Sequence, residues 1–202
     1  IENFEKSMAI KLKLLGPEHP DIAYAFESIG LAYEKQGESE KANENYEKAK
    51  LIKLKGMGET LGDQTKAESQ SASFLSSFVK GDFEQNLEDK IKVLETDLKT
   101  LAPNSPEMAQ VLTEIAAVFS DKEEYEKAIE HYEKALDIYM ETYGSEHHKV
   151  ASVYNVMGIA YRSKRATDKA IEHYEKSLAI YLQVLGSEHV EVSTCYYNLA
   201  TA

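Results

Sequence analysis

The chain has 202 residues, 43% hydrophobic and 29% charged, a globular balance long enough to build a core unaided. Its formal charge of -12 repels phosphate backbones and anionic lipid, which argues against nucleic acid and membrane as partners. Only 10 Gly and 4 Pro weigh against an all-β fold, and the single Cys195 leaves no intramolecular disulfide and fits a reducing, cytoplasmic setting.

In chain order, residues 3–16 (NFEKSMAIKLKLLG) open a pattern that returns at 45–58, 88–102, 131–144 and 173–186. A second pattern precedes each of these returns, so the expected unit is a pair of helices, A then B. The chain opens inside a helix B, with Phe4 at the place of Tyr46, and 1–19 is a partial repeat of helix B alone. Residues 20–58 form a whole repeat. Pro20 sits near the first turn of helix A, where its missing N–H is not needed. Gly37 breaks the A-to-B turn, where a left-handed backbone is easily reached.

Residues 59–102 are a degenerate repeat. Five serines fall within 69–77, and the expectation is a weak helix A packing through Phe74, Leu75 and Phe78. A regulated joint open to phosphorylation is the functional alternative, and a real break between two sub-arrays is the third reading. Its helix B, EDKIKVLETDLKTLA (88–102), ends in Ala102 where the other copies have Gly, and Gly58 to Ala102 spans 44 positions.

Residues 103–144 and 145–186 are whole repeats, and Gly144 and Gly186 stand 42 positions apart. Ser105 before Pro106 is the expected N-cap of one helix A. In the next, Val150, Val153, Tyr154, Met157 and Tyr161 recur at three and four, the stripe of an amphipathic helix. Ile171, Tyr174, Leu178 and Tyr181 do the same in its helix B. Residues 187–202, with Tyr196 and Leu199, are a partial repeat of helix A alone. Neither end has a polar capping repeat, so a longer parent protein at both ends is expected. The whole of 1–202 reads as one array domain.

Small residues recur where helices must cross closely: Gly30, Ala116, Gly158 and Ala200 on helix A, Ala42, Ala128 and Ala170 on helix B. Tyr33, Phe119 and Tyr161 follow the first set by three, and Tyr46, Tyr132 and Tyr174 follow the second by four. Small residues admit the neighbouring backbone and the aromatics fill the space beside them.

This arrangement of small, aromatic and alanine positions resembles the tetratricopeptide repeat. The 42-residue period and the GPEHPD linker (16–21) are similar to the kinesin-light-chain subtype. The resemblance covers 1–58 and 103–202. It implies an all-α solenoid of antiparallel helix pairs in a right-handed superhelix, with helices A lining a concave face that holds a peptide or helix. Carried over, the inward residues are Tyr24, Glu27, Leu31 and Glu34 on the first helix A. Thr113, Ala117 and Ser120 follow on the next, then Asn155, Ile159 and Arg162, and last Tyr197 and Asn198. Of these only Asn155 and Arg162 suit a carboxylate grip, while Glu27 and Glu34 repel an acid. The first whole repeat therefore departs from relatives that read acidic motifs through a basic groove.

No catalytic, metal or cofactor residue is expected. His19, His131, His147, His148, His173 and His189 mostly recur about one repeat apart, no H-E-x-x-H spacing exists, and His147 and His148 are expected to point apart. No nucleophile elbow, P-loop or dinucleotide fingerprint is present. Cys195 reads as a small buried apolar residue. The functional expectation is a non-enzymatic scaffold or adaptor for a protein or peptide, with a kinesin-light-chain-like cargo adaptor as one form. A structural spacer or oligomerisation array, or a regulatory sensor module of a larger signalling protein, are the alternatives.

Overall fold

In a computed structural model of the protein, the structure describes residues 1–57 and 72–202, with side chains for 1–55 and 85–202. Among these residues all regular structure is helical: α1 (Glu2–Leu15), α2 (Pro20–Lys35), α3 (Ser39–Met57), α4 (Ala72–Thr100), α5 (Pro106–Asp121), α6 (Tyr125–Tyr143), α7 (His148–Ser163), α8 (Thr167–Leu185) and α9 (Val190–Thr201).

The helix starts follow local chemistry. Ser105 caps α5 by accepting from the Met108 N–H at 3.2 Å, and Pro106 occupies the first turn. At the other helix-A starts the cap is a histidine. His19, His147 and His189 accept through Nδ1 from the N–H of Asp21, Lys149 and Glu191, at 3.2, 3.2 and 3.5 Å. Gly144 stops α6 at φ 84°, its N–H still bonded to the Met140 carbonyl at 3.0 Å.

The degenerate repeat differs from expectation. Residues 72–100 form one helix of 29 residues, without the turn expected ahead of residue 88. The stretch around Gly81 holds no proline, and one interior glycine costs only about 1 kcal/mol, too little to stop a helix. The proposed anchors Phe74, Leu75 and Phe78 and the serines at 69–77 lie outside the described side chains.

The expected single array divides into two compact units, Ile1–Asp63 with Tyr174–Ala202, and Gln64–His173. In the second unit, Leu87, Ile91 and Leu94 of α4 pack with Ile115 and Val118 of α5, flanked by Leu98, Val111 and Phe119. Fully burying side chains of this size stabilises by roughly 1.5–3 kcal/mol each. Ala116 and Ala128 are wholly buried in the α5–α6 hairpin, and α6 in turn packs on α7. The His173 ring lies 4.9 Å from that of Tyr161 and 5.9 Å from that of Tyr154.

In the first unit, α2 and α3 form a hairpin, α1 packs on α2, and α9 packs on α1. Ser177 of α8 meets Cys195 of α9 at 3.3 Å. The partial repeats 1–19 and 187–202, expected at opposite ends of a line, thus stand side by side. The register explains this: α1 carries the helix-B pattern and α9 the helix-A pattern, so each offers the face the other needs.

Candidate functional site

Ile22, Ala23, Ala25, Ile29 and Gly30 turn one side of α2 into the core. Tyr24, Glu27, Leu31 and Glu34, spaced three, four and three, are left on another side, with Tyr24 58% and Leu31 50% exposed. The two acids are already engaged. Lys53 of α3 donates to Glu27 at 2.7 Å and lies 5.0 Å over the Tyr24 ring. The Tyr46 hydroxyl donates to Glu34 at 2.7 Å, a bond that holds the phenol's pKa above its ordinary range. The repulsion read from the sequence is therefore partly cancelled within the unit.

Tyr197 on α9 is half-buried, its ring set edge-on to Phe4 of α1 at 5.5 Å and capped by the Lys11 ammonium at 5.7 Å. Because α9 stands on α1, Tyr197 comes to the same hollow as Leu31. That hollow measures about 410 Å³ and is walled by Ser28, Leu31, Ala32, Lys35 and Gln36 of α2, Tyr197, Ala200 and Thr201 of α9, and Phe4. Asn198 does not join it: it is 7% exposed, so a groove contact through its amide is a misplacement. One residue beyond half-buried Tyr197, the Asn198 side chain turns toward the interior.

The remaining expected residues lie in the second unit. On α5, Thr113 is half-buried and donates to the Ala109 carbonyl at 2.8 Å, Ala117 is exposed and Ser120 half-buried. On α7, Ile159 is 37% exposed while Asn155 and Arg162 are half-buried. The face is polar at α7 and small at α5.

Sequence reasoning missed Phe4, Ser28, Ala32, Lys35, Gln36, Ala200 and Thr201 as parts of the hollow. Nothing in a periodic pattern shows that the first and last segments meet. Lys35 is the cation at its rim, with no ion-pair partner among the described residues. A second cavity of about 580 Å³ opens on another face of α2, over Phe26, Ile29 and Tyr33. Lys48 and Lys41 already cover the Phe26 and Tyr33 rings at 5.7 and 5.4 Å.

Among the described residues no group of three His, Cys, Asp or Glu side chains is placed to hold a metal ion, and no helix is long and apolar enough to cross a membrane. Contrary to expectation, the His147 and His148 rings do not point apart but lie 4.3 Å from one another, with Tyr143 4.3 Å from His147 on the other side. Cys195 is fully buried, and burial pushes its thiol up from the ordinary value, opposed by a bond with Ser177. That is the setting of a packing residue and not of a nucleophile.

A family model for the tetratricopeptide repeat matches residues 1–50 and 107–183. No curated protein matches the chain in sequence. Among solved structures, BtubC (BKLC) from P. vanneervenii is similar at 20% identity and a TM-score of 0.53, over 98% of this chain and 78% of that one. A putative kinesin light chain with nearly identical TPR-like repeats from Podosopora anserina is similar at 21% identity and a TM-score of 0.48, over 90% and 85%. At 20% identity the likeness to BtubC speaks to fold alone. Tetratricopeptide repeats in general are protein–protein interaction modules. The match spans well over half of the chain and coincides with the helix pairs α2–α3, α5–α6 and α7–α8, so the chain belongs to the tetratricopeptide repeat family.

Proposed function

We propose that this protein is a non-catalytic adaptor that seats a peptide or a helix of a partner protein across α2 and α9. The observation that carries the reading is the 410 Å³ hollow between these helices, with Leu31 half-exposed beside it. An apolar side chain of the ligand enters between Leu31 and Tyr197, and Lys35 at the rim favours a nearby acid or carbonyl. Tyr and Leu offer contact area at low entropic cost, which suits a module that binds short segments. A cargo adaptor of the kinesin-light-chain kind, working in the cytoplasm, is the finer form of this proposal. The α5 and α7 face of the other unit, with Asn155, Ile159 and Arg162, is a separate and more polar candidate surface.

The test is a peptide-array screen of the purified chain at low and moderate salt, with hits re-measured by titration. Leu31→Ala and Tyr197→Ala are each expected to weaken a genuine hit by roughly tenfold or more, as anchor residues do. Asn155→Ala and Arg162→Ala probe the polar surface of the other unit. A blank screen with the chain folded, or hits indifferent to Leu31 and Tyr197, would shift the reading to a structural spacer.

A further inference from the structure

The contact between α1 and α9 differs from the other helix-A/helix-B pairs in two respects. No turn joins its helices. α2 runs into α3 through residues 36–38 and α5 into α6 through 122–124, whereas Ser7 and Ser193, which meet here, are 186 positions apart. The contact also carries a polar pair of its own. Ser7 and Ser193 are 1% and 0% exposed, their hydroxyl oxygens 3.0 Å apart, and the Ser193 hydroxyl reaches the Ser7 carbonyl at 3.1 Å. The aligned positions in the three helix pairs are Ala23 with Ala49, Ala109 with Ala135 and Ala151 with Ser177, all buried, and none of them sets two serines together.

A hairpin's turn sets the register of its helices, so alanine suffices there. A joint without a turn must find its register through side-chain chemistry, and a buried hydrogen-bonded pair is a known way to do so. Around this pair the contact is built like a protein interface, with an aromatic interior and a charged rim. Phe4 meets Tyr197, Lys6 lies 5.5 Å from the Tyr196 ring, and Lys13 pairs with Glu188 at the edge.

We infer that this seam is also an intermolecular joint: α1 of a second copy of the chain seats on α9 in place of the chain's own α1, and copies join head to tail. The two surfaces are different and complementary, so such joints are heterologous and propagate into open chains or rings. Exchange of an identical element between copies needs no new surface, only the same contacts made in trans. The occupant is α1 rather than α3 or α6, which present Ala49 and Ala135 where Ser193 meets a hydroxyl, and rather than α8, whose Ser177 already meets Cys195 of α9. The proposal is independent of any peptide ligand.

The test uses the full chain with Cys195→Ser, carrying either Ser7→Cys or Ser193→Cys. The two variants are mixed, unfolded, refolded together under a mild oxidant and resolved without reductant. Only a joint between molecules can link them. The expected product is a disulfide-linked heterodimer whose yield rises roughly tenfold as protein concentration is raised roughly tenfold, as mass action requires. A chain carrying both cysteines reports the closure within one molecule. Because the serines are buried, the exposed pair Lys13→Cys and Glu188→Cys repeats the experiment without touching the core. If both mixtures stay unlinked while the doubly substituted chains close on themselves, the inference is overturned. It is equally overturned if Ser7→Cys links as readily to an exposed Lys134→Cys on α6.

Discussion

Gly30 lies where the α2 backbone meets the ring of Tyr46. A methyl group there would come 2.6 Å from Tyr46 Cε1, and the ring cannot retreat without giving up its 2.7 Å bond to Glu34. Overpacking of this kind costs about 1–3 kcal/mol, against roughly 1 kcal/mol that alanine returns in helix propensity. Gly30→Ala is therefore expected to lower stability by about 1 kcal/mol, and to raise it in a Tyr46→Ala background. Thermal melts of the four proteins check this, and the same sign in both backgrounds would clear Tyr46 of responsibility. A second residue-level prediction concerns the A-to-B turns. Gly37, Glu123 and Arg165 adopt φ of 80°, 60° and 61°, and each is followed by an N–H bonded to an aromatic residue's carbonyl, at Tyr33, Phe119 and Tyr161. The glycine announced its turn in the sequence; the other two did not, because neither Glu nor Arg marks a left-handed backbone. That strain is of order 1 kcal/mol in an ordinary residue, so Arg165→Gly should stabilise by roughly that amount in urea unfolding. No gain would mean that contacts of the Arg165 side chain already offset the strain.

At the level of elements, the positions of helices A and B were legible because caps, prolines and glycines sit at fixed places in the repeat. The exception is α4, where the punctuation is missing and the chain runs on as one helix. The histidine caps were not legible as caps, since imidazole seldom serves in that role, and their recurrence was read only as spacing. The one at His147 carries a pH dependence. Its Nδ1 accepts the Lys149 N–H only while unprotonated. A carboxylate, Asp21 or Glu191, stands close to His19 and His189, at 3.8 and 2.5 Å. His147 instead has Lys149 and His148 beside it, and burial foremost, then these neighbours, hold its pKa below the ordinary histidine value. The folded state thus prefers neutral His147. The stabilisation is complete above the ordinary value and is lost as pH falls through the lowered one. His147→Asn keeps a capping side chain without the titration. It should match the parent near neutrality and lose less stability on acidification, by up to about 1 kcal/mol, the worth of a cap. Identical pH profiles for parent and variant would show that His147 plays no part.

For the molecule as a whole, periodicity states which kind of helix each segment forms, and says nothing of which copy it packs on. In a line of repeats neighbours in sequence are neighbours in space, and that assumption placed Tyr197 and Leu31 at opposite ends. The structure puts α9 beside α1, so the hollow that carries the proposed function depends on segments that sequence order keeps apart. The consequence can be measured by hydrogen exchange. α9 has only 12 residues, too few to hold a helix in water without packing, and its buried Ser193 faces Ser7 of α1. Removing residues 1–16 withdraws Phe4, Ser7 and Ile10, all buried. The two apolar side chains alone account for roughly 3 kcal/mol or more, so α9 amides should exchange more than about a hundredfold faster. Amides of α5 and α6 should keep their protection, because Leu87, Ile91, Leu94, Ile115 and Val118 form a core in the other unit. Unchanged protection in α9 would show that α1 does not hold it, and the composite hollow would lose its physical basis. Loss of protection throughout would mean instead that the two units unfold as one.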